Sequence, residues 1–393
     1  MSTTLNIIAD AHIWGVESAF SALPGFDVNL RILENRYITR ETVHNADILL
    51  TRSSTRVNAD LLQGSSVRFA GTATIGDDHY DKTWLDTHSI VWANAAGSST
   101  DSVIEYMITA LLDLHMRGLI SIPDTCIGII GVGRIGSKLA YICKNLGMTV
   151  LCNDPPRARM EGGDTFCSLE QLLEQADILT LHTPLLHKGV DCTVHLLGRD
   201  QLARFKGKGI INAGRGACVD NAALCNWLDG KPDRFAVLDC WENEPTPMLR
   251  LLNHPGVVIA TPHIAGHSVE GKAANTAFIY HALCKFLGIS PVWDMAHDLP
   301  KIPAAVEIMA GETRWHTLHA AVTALYPIND DHQAMRSWGR CPDSELAKLF
   351  TGYRRQYPER RGWQHAPVYF THADVDVLKL AQAIGINTKP VST

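Results

Sequence analysis

The chain opens with short apolar runs that alternate with polar segments compatible with helices. Before about residue 95 these runs read LNIIADA, DVNLRIL, ADILLTR, VRFAGTAT and IVWANAA. The buried strands of a parallel sheet are short apolar runs of this kind, and the helices that connect them occupy the intervening segments. The pattern therefore predicts a parallel α/β unit, which contains no glycine-rich phosphate loop of its own.

A second unit with the same alternation begins at Thr125. The amphipathic stretch 102–117 (SVIEYMITALLDLHMR) predicts a helix that leads into this unit. Its apolar runs read CIGIIGVG, TVLCNDP, ADILTLHTP, KGIINAGRG, FAVLDCWE and VVIATPHIAG. Six strands in this rhythm predict a doubly wound parallel sheet, in which ligands bind at the carboxyl ends of the strands.

The remainder of the chain changes the pattern twice. A helix-like run over 268–287 predicts a return of the chain to the first unit, which makes that unit discontinuous. Beyond about residue 290, proline and tryptophan accompany mixed helix and strand signals, and this tail is too apolar for a disordered extension. We therefore predict three domains: 1–97 with 267–289, then 98–266, and a small α+β domain over 290–393.

Composition narrows the functional classes. Hydrophobic residues make up 46% of the 393 residues and charged residues 19%, which is ordinary for a globular protein. The net charge of -6 comes without a long block of either sign, so we predict no nucleic-acid or membrane partner. No apolar stretch approaches the roughly 18 residues of a membrane span, and the start MSTTLNIIADAH lacks secretory features, which predicts a cytoplasmic protein. The ten cysteines form no C-x-x-C pair and predict reduced thiols, with no disulfide and no metal site.

A glycine pattern lies between the run CIGII and the helix-like stretch SKLAYICKNLG. Within GVGRIG, Gly131 permits a tight turn, Gly133 lets the backbone approach a pyrophosphate, and Gly136 lets the helix pack on the strand. Arg134 and Ile135 complete the loop. This arrangement predicts a dinucleotide-binding site.

An acidic residue follows at the expected distance. The run TVLCN ends at Asp154, 18 residues beyond Gly136, and a carboxylate there can accept a hydrogen bond from a ribose 2′-hydroxyl. The same carboxylate repels a 2′-phosphate, which favours NAD over NADP, although Arg157 and Arg159 lie close behind it. We therefore predict that the cofactor is NAD.

Three residues that can carry chemistry follow the later strands of the second unit. They are Arg215 in INAGRGACVD, Glu244 in LDCWENEP and His263 in TPHIAG. An arginine can hold a carboxylate bidentately, an acid can orient an imidazole, and a histidine can exchange a proton. Each alone is most often a surface or structural residue, but their order and their position at strand ends predict redox chemistry on a 2-hydroxy acid.

Several segments of the chain resemble those of a known family. The glycine pattern, HTPLLHKGVDCTVHL, NAGRGACVDNAAL, LDCWENEP and PHIAG together resemble the NAD-dependent D-2-hydroxyacid dehydrogenases. The resemblance implies a split substrate-binding domain and a central NAD-binding Rossmann domain. A further set of segments resembles one branch of that family, whose C-terminal domain implies a homodimer: ILLTRSSTRVNADLL, FAGTATIGDDHYD, VLCNDPPRAR, HIAGHSVEGKA and YRRQYPERRGW.

The resemblance also implies roles for individual residues. Arg215 holds the substrate carboxylate, His263 is the acid and base, and Glu244 pairs with His263. The implied substrate contacts are Ser53 and Thr74, with Arg52 as a further candidate for a distal phosphate pocket and His267 at the position of a branch tyrosine. The implied cofactor contacts, beyond the glycine loop and Asp154, are Thr183, Ala213, Gly214, Asp239 and Gly266.

The branch implies a particular substrate, 4-phospho-D-erythronate, which is oxidised to the 2-oxo acid in pyridoxal 5′-phosphate biosynthesis. The chain departs from the family at Ser99, where asparagine is usual, and from the branch at His267, where tyrosine is usual. These departures leave open a different 2-hydroxy acid, such as 3-phosphoglycerate or glyoxylate. A further alternative is a non-enzymatic regulator that binds NAD on the same fold.

Overall fold

The computed structural model describes residues 3–162 and 165–389. The chain separates into two compact units. The first contains the chain up to Ser99 together with His267–Lys301, and the second contains Thr100–Gly266 and the chain from Ile302 onward. Among the residues described, no helix is both long enough and apolar enough to cross a membrane.

Fourteen strands lie in the described ranges, and all the sheet pairings are parallel. They are β1 (Thr3–Asp10), β2 (Phe26–Leu33), β3 (Ile48–Thr51), β4 (Phe69–Thr72), β5 (Val91–Ala93), β6 (Cys126–Ile130), β7 (Thr149–Asn153), β8 (Ile178–Leu181), β9 (Gly209–Asn212), β10 (Phe235–Leu238), β11 (Val257–Ala260), β12 (Val306–Met309), β13 (Val368–Thr371) and β14 (Thr388–Lys389).

Sixteen α-helices connect or cover these strands within the same ranges. They are α1 (Val16–Phe20), α2 (Arg40–Val43), α3 (Ala59–Leu62), α4 (Lys82–Thr87), α5 (Thr100–Met116), α6 (Arg134–Asn145), α7 (Pro155–Glu161), α8 (Leu169–Gln175), α9 (Arg199–Arg204), α10 (Asn221–Asp229), α11 (Leu249–Leu252), α12 (Val269–Leu287), α13 (Arg314–Leu325), α14 (Ile328–Ser337), α15 (Asp343–Arg355) and α16 (Val375–Ala383).

The first unit is a five-stranded sheet in the order β2-β1-β3-β4-β5. Each of the five apolar runs of the sequence forms one of these strands, and β3 and β4 are buried along their whole length. The helix predicted over 268–287 is α12, which packs against β4 and so places the later segment in the first unit. Burial of both faces of β3 and β4 explains why these two runs are continuously apolar, whereas the edge strand β2 alternates between apolar and polar residues.

The second unit contains a six-stranded sheet in the order β11-β10-β9-β8-β6-β7. The chain begins this sheet at β6, adds β7 on one side, and then crosses to β8 on the other, so the strand order reverses between β6 and β8. A crevice for a ligand lies at such a switch point, outside the carboxyl ends of the strands. The predicted helix over 102–117 is α5, which is buried from Ser102 to Leu114. A helix buried all round in this way is a core element.

The C-terminal part of the chain contributes a small sheet of its own in the order β12-β13-β14, with α13 packed on β12 and α16 on β14. Its helices share a hydrophobic core with α5 and the six-stranded sheet, and α13 packs directly along α5. The predicted fold class is confirmed for the two doubly wound parallel sheets. The C-terminal addition was predicted to be α+β, but its three strands pair in parallel, as in an α/β unit. The limits of three separate domains, and the role of 290–393 in dimer formation, remain predictions.

Candidate active site

The glycine loop follows β6 at the switch point of the sheet. Gly131 has a φ of +85°, and a Cβ built there would lie 2.9 Å from the His182 carbonyl oxygen. A Cβ at Gly136 would lie 2.1 Å from the Gly131 oxygen, so no larger residue fits under the loop. At Gly133, which caps α6, a Cβ would meet no described atom within 4 Å. The first and third glycines are therefore required by the protein itself, while the second faces open space where a pyrophosphate would lie.

Asp154 lies one residue beyond β7, beside this loop. Its carboxylate accepts hydrogen bonds from the Val132 N–H at 2.8 Å and from the Arg157 N–H at 3.0 Å. An ionised carboxylate offers roughly four acceptor positions, so it retains capacity for a ribose hydroxyl. The Val132 bond ties the acid to the glycine loop, which fixes the distance between the two predicted parts of the cofactor site.

The two arginines that follow Asp154 are both paired with acids. Arg157 forks onto the Glu161 carboxylate at 2.7 and 2.8 Å, and this hydrogen bonding lowers the pKa of Glu161. Arg159 pairs with Asp191. A 2′-phosphate would have to compete with these carboxylates for both cations, which agrees with a preference for NAD.

The other predicted cofactor residues all lie just beyond strand ends of the same sheet. Gly214 leaves β9 so close to β8 that a Cβ would approach the Leu181 oxygen to 2.9 Å. The set comprises Arg134 and Ile135 at the start of α6, Thr183 after β8, Ala213 and Gly214 after β9, Asp239 after β10, and Gly266 after β11. The parallel sheet thus brings together residues that lie far apart in the sequence, along one edge.

The segment 261–266, which we call the histidine loop, follows β11 and carries His263. His263 has a φ of +56°, a left-handed conformation that is uncommon for any residue with a side chain. The Asp239 carboxylate accepts hydrogen bonds from Thr261 Oγ1 at 2.6 Å and from the N–H groups of Ile264 at 2.8 Å and Ala265 at 3.0 Å. Strain of this kind persists where surrounding contacts over-determine it, and Asp239 supplies those contacts.

Glu244 and His263 form a direct pair. His263 Nδ1 lies 2.7 Å from Glu244 Oε2, and the other carboxylate oxygen accepts the Trp241 N–H at 2.7 Å. Burial raises the pKa of Glu244, but the His263 charge and hydrogen bond, the Arg354 charge and the Trp241 N–H outweigh it and lower the pKa below its ordinary value. With Nδ1 engaged, His263 Nε2 makes no hydrogen bond within the described part of the chain, and it is the ring atom open to a substrate proton.

Arg215 is carried by the loop after β9, next to the Glu244 segment. Asn212 braces this loop, because its side chain accepts from the Gly214 N–H at 3.1 Å and donates to the Arg215 carbonyl at 3.0 Å. The loop touches the β10 end directly: the Cys240 thiol donates to the Gly214 oxygen at 3.2 Å. The sheet therefore places the guanidinium loop against the segment that begins the Glu244 turn.

Cys240 lies close to two of the predicted catalytic residues, Glu244 and His263. Its sulfur, a Glu244 carboxylate oxygen and a His263 ring nitrogen all lie within 4.8 Å of one another. Burial, followed by the charges of Asp239 and Glu244, raises the pKa of the Cys240 thiol well above its ordinary value, against smaller lowering effects of Arg215 and Arg354. A thiol held protonated is a poor nucleophile, and the Cys240 Sγ–H is engaged as a donor to the Gly214 oxygen.

The predicted substrate residues belong to the first unit. β3 and β4 are neighbours with Thr51 opposite Thr72, and Ser53 and Thr74 each lie two residues beyond that pair. Thr74 Oγ1 donates to the Gly76 oxygen at 2.9 Å. The unit therefore brings Ser53 and Thr74 to adjacent strand ends, with Arg52 beside them. His267 lies at the start of the other segment of this unit, two residues before α12, and Ser99 is buried at 5% exposure.

Relatives among curated proteins cover almost the whole chain. An erythronate-4-phosphate dehydrogenase of Pseudomonas putida is 39% identical over 382 residues, covering 96% of this chain and 98% of the relative. The enzyme of the same name from Azotobacter vinelandii is 40% identical over 388 residues, covering 97% and 99%. Residues 113–265 match the family model of the D-isomer specific 2-hydroxyacid dehydrogenase NAD binding domain. The chain belongs to this dehydrogenase family.

Solved structures of family members share the fold at lower identity. A D-lactate dehydrogenase from Aquifex aeolicus, complexed with NAD and lactic acid, superposes with a TM-score of 0.60 at 21% identity, covering 72% of this chain and 96% of that one. An NAD-dependent formate dehydrogenase from Staphylococcus aureus gives a TM-score of 0.59 at 21% identity, covering 74% and 98%. These structures support the fold, while the curated relatives and the family model show that the chain is an NAD-dependent D-2-hydroxyacid dehydrogenase.

Several residues of the site were not predicted from the sequence. Asn212 holds the loop that carries Arg215, and Thr261 binds Asp239 within the histidine loop. Tyr106 of α5 extends the hydrogen-bond network of the histidine loop, because its hydroxyl lies 2.9 Å from Thr261 Oγ1. Asn212 and Thr261 stand at strand ends, where polar residues interrupt apolar runs, and that interruption is a signal the sequence contains. Tyr106 gives no such signal, because an aromatic residue within a buried helix is ordinarily part of the core.

Proposed function

We propose that this chain oxidises 4-phospho-D-erythronate at C2 to 3-hydroxy-2-oxo-4-phosphooxybutanoate. The names of relatives about 40% identical over nearly the full length support this substrate. The observation that carries the proposed chemistry is the pair of Glu244 with His263 Nδ1 at 2.7 Å, on a loop held by Asp239. This pair leaves His263 Nε2 as a base at the carboxyl edge of the sheet.

The residues around the glycine loop fit NAD. Gly133 presents backbone with open space above it, and Asp154 retains acceptor capacity for a ribose hydroxyl. The start of α6 offers backbone N–H groups to a pyrophosphate. When bound, NAD supplies the acceptor for the hydride that leaves C2.

The chain's own residues handle the proton and the charges. His263 Nε2 takes the proton of the C2 hydroxyl as the O–H bond breaks and the C2=O bond forms, and it then releases that proton to water. The Glu244 carboxylate stabilises the imidazolium that forms. Arg215 holds the substrate carboxylate and favours the developing carbonyl, because its guanidinium matches both groups.

The remaining assignments extend the proposal to the other unit and to the whole protein. Arg52, Ser53 and Thr74 would bind the distal phosphate, since a guanidinium and hydroxyls suit its oxygens. His267 would contact the substrate at the position where the branch has tyrosine. The residues 290–393 would form a homodimer, and the protein would act in the cytoplasm in pyridoxal 5′-phosphate biosynthesis.

Initial rates of NADH formation test the substrate. We would compare 4-phospho-D-erythronate with D-erythronate, 3-phosphoglycerate, D-glycerate and D-lactate, each with and without a 2-oxo acid acceptor in case NADH stays bound. The proposal predicts a clear preference for 4-phospho-D-erythronate, with D-erythronate isolating the contribution of the phosphate. If only another acid is turned over, the proposed substrate is wrong and the proposed reaction type stands. NADH binding without any turnover would favour the regulatory alternative.

Variants of the proposed phosphate pocket give that comparison a structural control. Ser53→Ala and Thr74→Ala are expected to raise KM for 4-phospho-D-erythronate and to leave KM for NAD unchanged, because the two residues lie in the unit without the glycine loop. An unchanged KM for the phosphorylated acid in both variants would contradict their assignment to the phosphate.

A further inference from the structure

Two arginines of the C-terminal part contact the histidine loop. Arg354, near the end of α15, donates its Nε–H to the His263 carbonyl oxygen at 3.2 Å. Arg360, five residues beyond α15, donates an Nη2–H to the Ala265 carbonyl oxygen at 3.0 Å. All these residues belong to the same compact unit. The two arginines satisfy carbonyl groups of the loop that carries the proposed base.

The histidine loop is thereby held from two sides. Asp239 accepts the N–H groups of Ile264 and Ala265, and its backbone carbonyl accepts the His263 N–H at 2.8 Å. The arginines bind the carbonyls of His263 and Ala265. The Asp239 carboxylate thus accepts from N–H groups of the loop, and the guanidinium groups of Arg354 and Arg360 donate to its carbonyl groups. Together these bonds hold His263 in its left-handed backbone conformation.

Arg360 is anchored deeply enough to act as a rigid support. It is 6% exposed, its guanidinium carbon lies 4.1 Å from the centre of the Tyr326 ring, and a second hydrogen bond reaches the Ser102 oxygen at 3.4 Å. Close by, the Trp363 N–H donates to the Glu105 carboxylate at 2.7 Å. These contacts join the C-terminal segment to α5, the central helix of the unit.

Asp331 anchors the chain on both sides of Arg354. It is 4% exposed, and its carboxylate accepts the hydroxyls of Tyr326 at 2.9 Å, Tyr353 at 2.6 Å and Tyr357 at 2.7 Å. Tyr353 immediately precedes Arg354 and Tyr357 follows three residues later. The backbone that presents Arg354 is therefore fixed by hydrogen bonds to one buried acid.

Arg354 also contributes charge at the centre of the site. Groups that face the Glu244 carboxylate are His263, Arg354 and the Cys240 thiol, and the Arg354 cation is among those that lower the pKa of Glu244. Beyond its bond to His263, the guanidinium lies over the Phe350 ring at 5.8 Å. Arg354 thus touches the catalytic pair through the His263 backbone and through its charge.

We propose that Arg354 is a positioning residue of the active centre, which holds the His263 backbone so that the imidazole stays on Glu244, with Arg360 anchoring the same loop at Ala265. This inference rests on the proposed function, in which His263 exchanges the substrate proton. It gives the C-terminal part of the chain a catalytic task within its own protomer, independent of any task in assembly.

The test compares Arg354→Gln with Arg340→Gln, a matched control at an exposed arginine of the same C-terminal part. We would measure kcat, KM, the Kd for NADH, the melting temperature and the pH dependence of kcat/KM for the full-length enzyme. The inference predicts that Arg354→Gln lowers kcat by about ten- to a hundredfold, as expected for a misplaced catalytic group, while KM for NAD, the Kd for NADH and the melting temperature stay as in Arg340→Gln. The acid limb of the pH profile should move to higher pH, because a cation that lowers the pKa of Glu244 is lost.

Two further variants make the outcome decisive. Arg354→Met keeps the stem that packs on Phe350 but loses the donor and the charge, so it replaces Arg354→Gln if that variant does not fold; failure of both to fold would assign Arg354 to the fold and overturn the inference. The inference would also be overturned if Arg354→Gln had the same kcat as Arg340→Gln. It would likewise be overturned if Arg354→Gln bound NADH more weakly and also melted at a lower temperature than Arg340→Gln. His263→Asn is assayed in parallel: if it turns over normally, the proposed function fails, whereas an inactive His263→Asn beside a fully active Arg354→Gln refutes the positioning role alone.

Discussion

At the scale of single residues, the site depends on an acid that we expected to touch the cofactor. Asp239 is 1% exposed, and its carboxylate holds three donors of the histidine loop. Burial raises the pKa of Asp239, and His263, Thr261 and the two backbone N–H groups oppose that rise. The cofactor role assigned to it from the sequence stays a prediction, while its contacts show what it does for the loop.

Asp239→Asn is expected to damage both stability and turnover. One oxygen of Asp239 accepts from Thr261 and Ile264 and the other from Ala265, so either orientation of an amide sets its NH2 against a backbone N–H. We expect a loss of about 1–3 kcal/mol in the free energy of unfolding and a lower kcat. Asp177→Asn is the control, since within the described ranges the Asp177 carboxylate accepts only the Cys126 N–H, at 2.7 Å and at the far end of the sheet. Denaturant unfolding gives the free energy of unfolding of both variants, and initial rates give their kcat. A wild-type kcat in Asp239→Asn would refute this account of the loop.

The glycine loop allows a prediction in which neighbouring glycines behave differently. Gly136→Ala would place a Cβ 2.1 Å from the Gly131 oxygen, whereas Gly133→Ala meets no described atom within 4 Å. Gly133→Ala should therefore keep the wild-type melting temperature and bind NADH more weakly, because its methyl group occupies the space of the pyrophosphate. Gly136→Ala should lower both the melting temperature and the affinity for NADH. Thermal melting and NADH fluorescence titration separate the two; unchanged NADH affinity in Gly133→Ala would place the cofactor elsewhere.

At the scale of elements, α14 is fixed to the end of β11 by a neutral histidine. The Ala260 N–H donates to His332 Nδ1 at 3.0 Å, and His332 is 9% exposed. Burial, with smaller effects of Arg336 and Arg117, lowers the pKa of His332 from 6.5 to about 4. Because the unfolded chain binds the proton more tightly, this contact stabilises the fold fully above pH 6.5 and loses its effect as the pH falls towards 4.

His332→Asn tests the docking of this helix. Asparagine keeps an acceptor near the position of Nδ1 and does not titrate, so between pH 4 and 6.5 the free energy of unfolding should depend less steeply on pH than in the wild type, by up to one proton. His187→Asn, at an exposed histidine, is the control for removal of an imidazole from the surface. Denaturant unfolding at a series of pH values measures both; equal slopes in wild type and His332→Asn would mean that His332 is not neutral in the fold.

At the scale of the whole molecule, the cysteines report on the folded state. All ten are free, five buried and five partly buried, and burial raises the pKa of Cys143 to about 12. We expect ten thiols per chain to react with a disulfide reagent in denaturant without prior reduction. The native protein should show at most five, since a buried, protonated thiol reacts slowly. If fewer than ten thiols react in denaturant and a reductant restores the number to ten, the protein contains a disulfide that this fold does not have.

Much of this architecture could be predicted from the sequence, for identifiable reasons. The strands could be predicted because buried parallel strands are continuous apolar runs. The Gly131 to Gly136 loop could be predicted because its glycine spacing follows an apolar run and precedes a helix-like stretch. His263 and Glu244 were selected by their position after strands, and the structure pairs them, while their catalytic roles stay a prediction. The hold of Arg354 and Arg360 on the histidine loop was not predicted, because about ninety residues separate them from His263 and only tertiary packing brings them together. Likewise, an acid such as Asp239 at a strand end looks the same whether it binds a ligand or its own backbone.

The central claim is that His263 exchanges the proton that accompanies hydride transfer. Single-turnover formation of NADH from 4-phospho-D-erythronate, compared between wild type, His263→Asn and the control His187→Asn, tests it most directly, with NADH affinity measured on the same samples. We predict a fall of about 10²- to 10⁴-fold in the rate for His263→Asn with unchanged NADH affinity. A wild-type rate in His263→Asn would contradict the account and require another base.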